Sequence, residues 1–427
     1  MLSNPTDERE HTPLLGLFPP GSSIVDDSLV IGGCNAMELA DSFDTPSFII
    51  DEMALRVRAR RYADGLSSRW PNSQVIWASK SLPCTAIYRI MQDEGLGVDV
   101  AGGGELVMAL AAGVDASRIV LHGNAKTDHE LEMALQAGVG TVVIDNFDDI
   151  DRLERLVTGE QGVLIRIIPG VMTATHESIA TGHENSKFGL SLSDARRAIN
   201  RLRSSDKLRL DGLHAHIGSQ ILDTRPFARA VEVMASLGEF SVYDLGGGLG
   251  ARYTYDDHPP TVEEYLDALI NAARQLLPSD ARLLIEPGRS MVAEAGITLY
   301  SVVTVKRGSL RTFVAIDGGM SDNLEVSLYG QRFEATVANR VGGGETYTLV
   351  GHHCESGDQL IDEVALRSPE IGDVIAVPVT GAYCHTMANN YNGALRPPIV
   401  LVRDGVARVV LRRETYDDLL RRDLNPS

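Results

Sequence analysis

From residue 47 to about residue 290 the chain repeats one unit: a short β-branched, apolar run, a polar or glycine-rich end, then a stretch of helical pattern. The apolar runs are Gln74–Ala78, Gly97–Val100, Ile119–His122, Thr141–Ile144, Gly162–Ile167, Leu210–His216, Ser241–Leu245 and Arg282–Glu286. Between them, apolar residues recur three and four apart, as in the stretches starting at Glu105 and Glu130, which predicts helices. Strand then helix in this repeated order predicts parallel strands with helical crossovers, and eight such units over roughly 240 residues fit a closed (β/α)₈ TIM barrel. An open doubly wound sheet is the alternative. Its nucleotide fingerprint, GxGxxG after the first strand, is absent here.

Beyond about residue 300 the pattern changes to short alternating runs punctuated by Gly and Asp: Ser301–Val305, Thr312–Ile316, Thr346–Val350, Val374–Val379, Pro398–Val402 and Val406–Leu411. These predict a second, antiparallel β domain, so the fold class is α/β with an added β domain. The division expected is a mobile tail over residues 1–23, a leading segment over 24–46 that joins the β domain, a barrel over 47–295 and the β domain over 296–427. Residues 170–187 and 320–345 are long, polar, glycine-containing connections, and long loops in compact domains tend to be functional. The first of them is a candidate lid, with Gly182 and a polar content suited to closure.

Composition narrows the class of partner. The formal net charge is -19, which argues against nucleic acid and anionic membranes, since both call for basic patches. No apolar stretch approaches the roughly 18 residues of a membrane span, and the first 23 residues lack the basic start and apolar core of a signal peptide. Cys34, Cys84, Cys354 and Cys384 stand far apart with no CxxC pair, which suits a reducing cytoplasm.

In a barrel of this kind the active site is assembled at the carboxyl ends of the strands. Those ends carry Lys80, Asp99, His122-Gly-Asn124, His214-Ala-His216-Ile-Gly-Ser219-Gln220, Gly246-Gly247-Gly248 and Glu286-Pro287-Gly288-Arg289. A lysine whose ammonium is desolvated at a buried strand end becomes a nucleophile able to form a Schiff base; the plainer reading is a lysine snorkelling outward. Consecutive glycines let backbone N–H groups approach phosphate oxygens, although a triple glycine is also an ordinary tight turn. A lysine facing a phosphate cradle implies a ligand with an aldehyde and a phosphate, which pyridoxal 5'-phosphate has. Glu286 is placed to keep its pyridine nitrogen protonated. His216 could lie flat on the ring or be a satisfied core histidine. Asp99 is a second polar anchor or a helix N-cap ahead of Gly102–Gly104. His352, His353 and Cys354 are neighbours of metal-ligand type, but three adjacent residues cannot easily face one ion, and no metal is expected.

Ten stretches in register then extend the picture: WASK, VDVAGGGEL, HGNAK, TGHENSKFGL, HAHIGSQ, DLGGGLG, EPGRS, DGGM, HHCESGD and GAYCHTMANNYNG. In these the chain resembles the diaminopimelate decarboxylases, within the barrel-type pyridoxal phosphate decarboxylases that also include ornithine decarboxylase. The resemblance implies that Lys80 carries the cofactor and His216 stacks on it. It implies further that Ser219, Gly247, Gly248 and the segment Glu286, Pro287, Gly288 and Arg289 hold ring nitrogen and phosphate, with Tyr383 serving cofactor and substrate. A homodimer with shared active sites follows, in which Cys354 and Glu355 reach into the partner's site and Cys354 donates a proton. The reaction implied is meso-2,6-diaminopimelate to L-lysine and carbon dioxide, in lysine biosynthesis. Racemases of the same fold pair the ring nitrogen with arginine, so a glutamate favours decarboxylation. Retention of Lys80, Glu286, Cys354 and Tyr383 together argues against an inactive, purely regulatory member.

The departure lies at the substrate end. The family supplies one arginine for the distal carboxylate from the EPGR segment, matched by Arg289, and another four residues before a tyrosine. Here that tyrosine is Tyr329, but the arginine position holds Glu325. A carboxylate facing a carboxylate in a desolvated pocket selects by repulsion. Either Glu325 turns away and Arg289 or Arg332 suffices, or the substrate is a relative with a cationic or neutral far end, such as lysine, ornithine or a specialised-metabolism intermediate. Ala125 and Gly102 also depart from the usual HGNNK and ASGGEL forms.

Overall fold

A computed structural model describes residues 15–171 and 186–424. The lid expected over 170–187 and most of the tail expected over 1–23 lie outside the described residues, but Leu17 and Phe18, within the tail's expected span, are buried. The chain divides into two compact units: residues 56–250 with 259–291, and residues 1–55 with 251–258 and 292–427.

The first unit is a closed barrel of eight parallel strands in chain order: Ser73–Ala78, Gly97–Val100, Ile119–Leu121, Thr141–Ile144, Gln161–Ile167, Leu208–Ala215, Val242–Asp244 and Arg282–Ile285. Helices follow most of the strands on the outside and side chains fill the inside, which is why these runs read as almost unbroken apolar sequence. Ile76, Val120, Val143, Leu164 and Leu284, from five strands, form one interior cluster. The helices begin where their sequences supply caps. Thr127 accepts the Glu130 N–H at 3.2 Å while Glu130 accepts the Thr127 N–H at 2.9 Å, and Thr261 and Glu264 repeat the exchange.

The eighth strand departs from the repeat. Only the short turn Arg289–Val292 follows it. The helix Glu52–Arg69, which precedes strand one, instead lies against the helix Val262–Leu276 that follows strand seven: Tyr62 meets Tyr265 edge-on, and Arg69 bonds Asp267 at 2.7 Å.

The second unit is built on the twelve-residue strand Gly296–Arg307, which pairs antiparallel with Ser47–Asp51, Thr312–Ile316 and Val374–Pro378. Most pairings are antiparallel, but Thr312–Ile316 runs parallel to Glu345–Val350, and Ile399–Arg403 parallel to Ser47–Asp51. Ser47–Asp51, counted with the barrel in the sequence, is therefore a sheet strand of this unit. Gln359–Leu366 is a further strand that the sequence pattern did not reveal, because its outward positions include Asp362 and Glu363. The leading segment adds a small sheet and the helix Ala36–Phe43, and its Leu29, Ile31 and Leu39 join Ile49, Ile297, Leu299 and Val400 in one core.

Candidate active site

Strand one ends at Ala78, and Lys80 sits in the single helical turn that follows. That turn is held by the Ser81 hydroxyl donating to Ala78 O at 2.8 Å, and by the buried Trp77 indole reaching Ser81 Oγ at 3.2 Å. Ser79 and Ser81 are buried while Lys80 is exposed. In this single chain the strand end presents the lysine at the surface. Asp99, on strand two, is buried. It is not a helix cap: the next helix, Gly103–Ala111, has Gly102 at its N-cap, and the N–H groups of Ala101 and Gly103 go to Glu105 and Glu130.

The end of strand eight brings Glu286 to the centre of a buried polar cluster. His122 Nε2 lies 2.7 Å from one carboxylate oxygen, Oε1, and His214 Nε2 lies 3.1 Å from the other, Oε2. The two imidazoles meet edge-on at 4.8 Å, and Asp99 Oδ1 is 4.0 Å from His122. Burial opposes the charged form of Glu286, yet His122 and His214 hold its carboxyl well below the ordinary range. Burial pulls His214 down to about 4, so this ring is neutral and its Nε2–H donates. Burial also works against a charge on His122, but Glu286 and Asp99 keep it above its usual value. Asp244, on strand seven, is pushed up by burial and by Glu286. Arg166 supplies a buried cation from strand five, 3.7 Å from Asp145. Among the described residues, ligand-type side chains converge at His122, His214, Asp244 and Glu286, with donor atoms within 4.8 Å of one another. In this arrangement the imidazoles face the carboxylate directly.

The loop after strand seven needs its glycines. A Cβ at Gly247 would stand 2.0 Å from Glu286 O, and Gly248, at φ +124°, would meet Gly218 O at 2.6 Å. Two of the N–H groups read as phosphate donors have protein partners: Gly246 N–H donates to Asp244 Oδ1 at 3.0 Å and Gly247 N–H to His216 Nδ1 at 3.3 Å. The latter bond makes Nδ1 an acceptor and sets the ring plane of His216, whose proton affinity burial and Lys80 depress strongly. Arg289 is buried, and its Nε donates to Ser219 Oγ at 3.1 Å. Pro287 O receives the Ala78 N–H at 3.2 Å, tying the Glu286–Arg289 turn to strand one beside Lys80.

The remaining candidates lie in the second unit. Asp358 fastens two of its loops, accepting the Met320 N–H at 2.7 Å and the His353 N–H at 2.8 Å. Asn392, in the left-handed region at φ +52°, accepts the Cys354 N–H at 3.2 Å, and Tyr391 donates to Glu355. Cys354 is an exposed free thiol. Tyr383 is half-buried with φ +64°, a backbone strain characteristic of functional loops. Tyr329 is half-buried, and Arg332 is exposed, 3.7 Å from Asp256. Glu325 is wholly buried, with the Tyr253 hydroxyl 3.4 Å from its Oε2.

Residues 54–293 match the family model of the pyridoxal-dependent decarboxylases, pyridoxal binding domain. Over 425 residues the chain is 46% identical to a diaminopimelate decarboxylase of Actinosynnema pretiosum subsp. auranticum, covering 96% of this chain and 95% of that one. The chain belongs to the pyridoxal-dependent diaminopimelate decarboxylase family. A diaminopimelate decarboxylase of Bacillus subtilis is 43% identical over 93% of this chain and 95% of its own. The crystal structure of a diaminopimelate decarboxylase from M. jannaschii, in complex with L-lysine, superposes with a TM-score of 0.89 at 32% identity, covering 96% of this chain and 98% of that one.

As a member of this family the decarboxylase uses pyridoxal 5'-phosphate, and the barrel residues fit it. Glu286 Oε1 is buried and, although His122 Nε2 lies 2.7 Å away, makes no aligned hydrogen bond among the described residues, so it can accept from a ring N–H. Lys80 stands exposed at the strand-one end, and no Cβ obstructs the glycine loop. What sequence reasoning missed is the setting of Glu286. His122 and His214 appeared among the strand ends without a role, and Asp244 and Arg166, inside quoted stretches, were given none either. Their signal was a charged or titratable residue within an otherwise apolar strand, as in LIRII and GLHA.

Proposed function

We propose that this decarboxylase converts meso-2,6-diaminopimelate to L-lysine and carbon dioxide, in the cytoplasm and as a homodimer with active sites shared between subunits. The observation that carries the substrate is the burial of Glu325. Its carboxylate is turned toward Tyr253 within its own unit, so the one residue that argued against a distal carboxylate need not meet the substrate. Arg289 then remains as the cation for that carboxylate, with Tyr329, Glu355 and Tyr383 completing the substrate contacts.

When bound, pyridoxal phosphate supplies an electron sink through its protonated ring nitrogen, which accepts the electron pair left as carbon dioxide departs. The protein's part is to hold and protonate. Lys80, in the turn after strand one, would hold the aldehyde end of the cofactor through its side-chain amine. Glu286 keeps the ring nitrogen charged, and His216, turned by Gly247, presents a flat face to stack. Ser219, Gly247, Gly248 and the turn Pro287–Arg289 hold the phosphate end, and Asp99 adds a polar anchor. Cys354 returns a proton to the substrate carbon; its placement rests on Asn392 and Asp358.

The test is carbon dioxide release from meso-diaminopimelate, L- and D-lysine, and L- and D-ornithine. Diaminopimelate should exceed every other substrate by about 100-fold or more in kcat/KM. A preference for lysine or ornithine would overturn the assignment and return Glu325 to the substrate pocket.

A further inference from the structure

Glu286 is delivered by strand eight, but each of its oxygens is faced by a histidine from another strand end: His122 after strand three at Oε1, and His214 on strand six at Oε2. The two contacts differ in kind. His214 makes an aligned hydrogen bond at 3.1 Å. His122 comes closer, 2.7 Å, yet without hydrogen-bond alignment, so both His122 Nε2 and Glu286 Oε1 remain without such a bond. A buried carboxylate in apolar surroundings would ordinarily take up a proton. Here His214 bonds Oε2 and the His122 ring sits beside Oε1; both favour the ionised carboxylate, and Oε1 keeps a lone pair for a further donor.

We propose that His122 and His214 are a two-imidazole clamp, positioning residues that aim the Glu286 carboxylate at the cofactor's ring nitrogen and thereby set how strongly the barrel discriminates in favour of that nitrogen. The clamp rests on the reading that Glu286 meets the ring nitrogen. It does not depend on which amino acid is decarboxylated. Asp99 and Arg166 act on His122, and Asp244 lies within 4.8 Å of both histidines and Glu286, so the clamp is set within a buried group of titratable side chains.

The test titrates apoenzyme with pyridoxal phosphate and, separately, with its carbocyclic analogue, in which the ring nitrogen is replaced by C–H. Binding is followed by protein fluorescence. His122→Gln and His214→Gln should each weaken pyridoxal phosphate by about tenfold, the loss of one charge-assisted contact, and the analogue by less than about twofold. In a Glu286→Gln background the histidine substitutions should add no further discrimination. Equal losses for both ligands, as a merely structural role would give, or no loss for either, would overturn the proposal. Should one histidine variant not fold, the other carries the test, because both touch the same carboxylate. Turnover on the substrate panel is read separately. Loss of ring-nitrogen discrimination with an unexpected substrate would leave the clamp standing and remove only the diaminopimelate assignment.

Discussion

Lys126 offers a quantitative test of how the strand ends are held. It follows His122 by four residues and is 3% exposed. Its Nζ donates to Gly123 O at 2.6 Å, Val143 O at 2.9 Å and Asp149 Oδ2 at 2.7 Å, so one ammonium joins the turn after strand three to strand four and to the helix Phe147–Leu156. Burial pulls its proton affinity down while Asp149 holds it up. Lys126→Met preserves volume but leaves the fully buried Asp149 without its principal cation. Breaking a buried pair costs about 3–5 kcal/mol. Arg152, 2.9 Å from the other oxygen, and the Asp145 N–H, at 3.0 Å, still serve that carboxylate. The lower end, about 3 kcal/mol, is therefore expected. Asp149→Asn should cost a similar amount, because it strands the lysine instead.

The double variant Lys126→Met/Asp149→Asn should then be more stable than the sum of the singles by about 2 kcal/mol, as coupling through one contact requires. Urea unfolding reports this directly, since Trp70 and Trp77, the chain's two tryptophans, are both buried in the barrel unit. Strict additivity, or a loss under about 1 kcal/mol for Lys126→Met, would refute the reasoning.

Asp322 tests the second unit through pH. It is 1% exposed, and burial pushes its carboxyl up to about 7. The folded state thus holds a proton that the unfolded chain releases near pH 4. Its contribution is fully present below that value and falls by about 1.4 kcal/mol per pH unit up to pH 7. Asp322→Asn should remove that slope: its stability relative to the parent rises with pH across the window, and parallel denaturation curves would count against it. Asp358→Asn sets an amide N–H₂ against one of two N–H donors now accepted by the carboxylate. A loss of about 2 kcal/mol in stability and at least about tenfold in kcat is expected, with cofactor affinity unchanged, because the loop bearing Cys354 loses its anchor. Unchanged kcat would detach Asp358 from the positioning of Cys354.

The barrel was legible because its strands are buried on both faces, so each left an apolar run of nearly its full length; Gly97–Val100 and Thr141–Ile144 coincide with their sequence boundaries. Pairing partners were not legible. Nothing local in Ser47–Asp51 distinguishes a sheet strand from a barrel strand, because its companions are Gly296–Arg307 and Ile399–Arg403, hundreds of residues away. The same limit governs the chemistry. Lys80 and Glu286 could be picked out because strand order alone places strand ends around one mouth.

Which side chains then converge depends on where each strand end stops relative to its neighbours, and that is why His122 and His214 had no role until Glu286 was seen between them. Glu325 makes the point in the opposite direction. Its spacing from Tyr329 suggested a carboxylate opposing a substrate carboxylate, but its partner Tyr253 stands 72 residues earlier, and only the packing of those segments turns the charge inward. An acidic residue replacing a basic one changes specificity only if the new side chain occupies the old one's direction. A carboxylate is shorter than a guanidinium arm, and here it accepts from the buried Tyr253 hydroxyl. Under the proposed assignment, Glu325 would leave its position without the family's cation and add no anion toward the substrate. On that proposal the preference for diaminopimelate over lysine and ornithine is retained, and a reversed preference in the substrate panel would show that Glu325 faces the substrate after all.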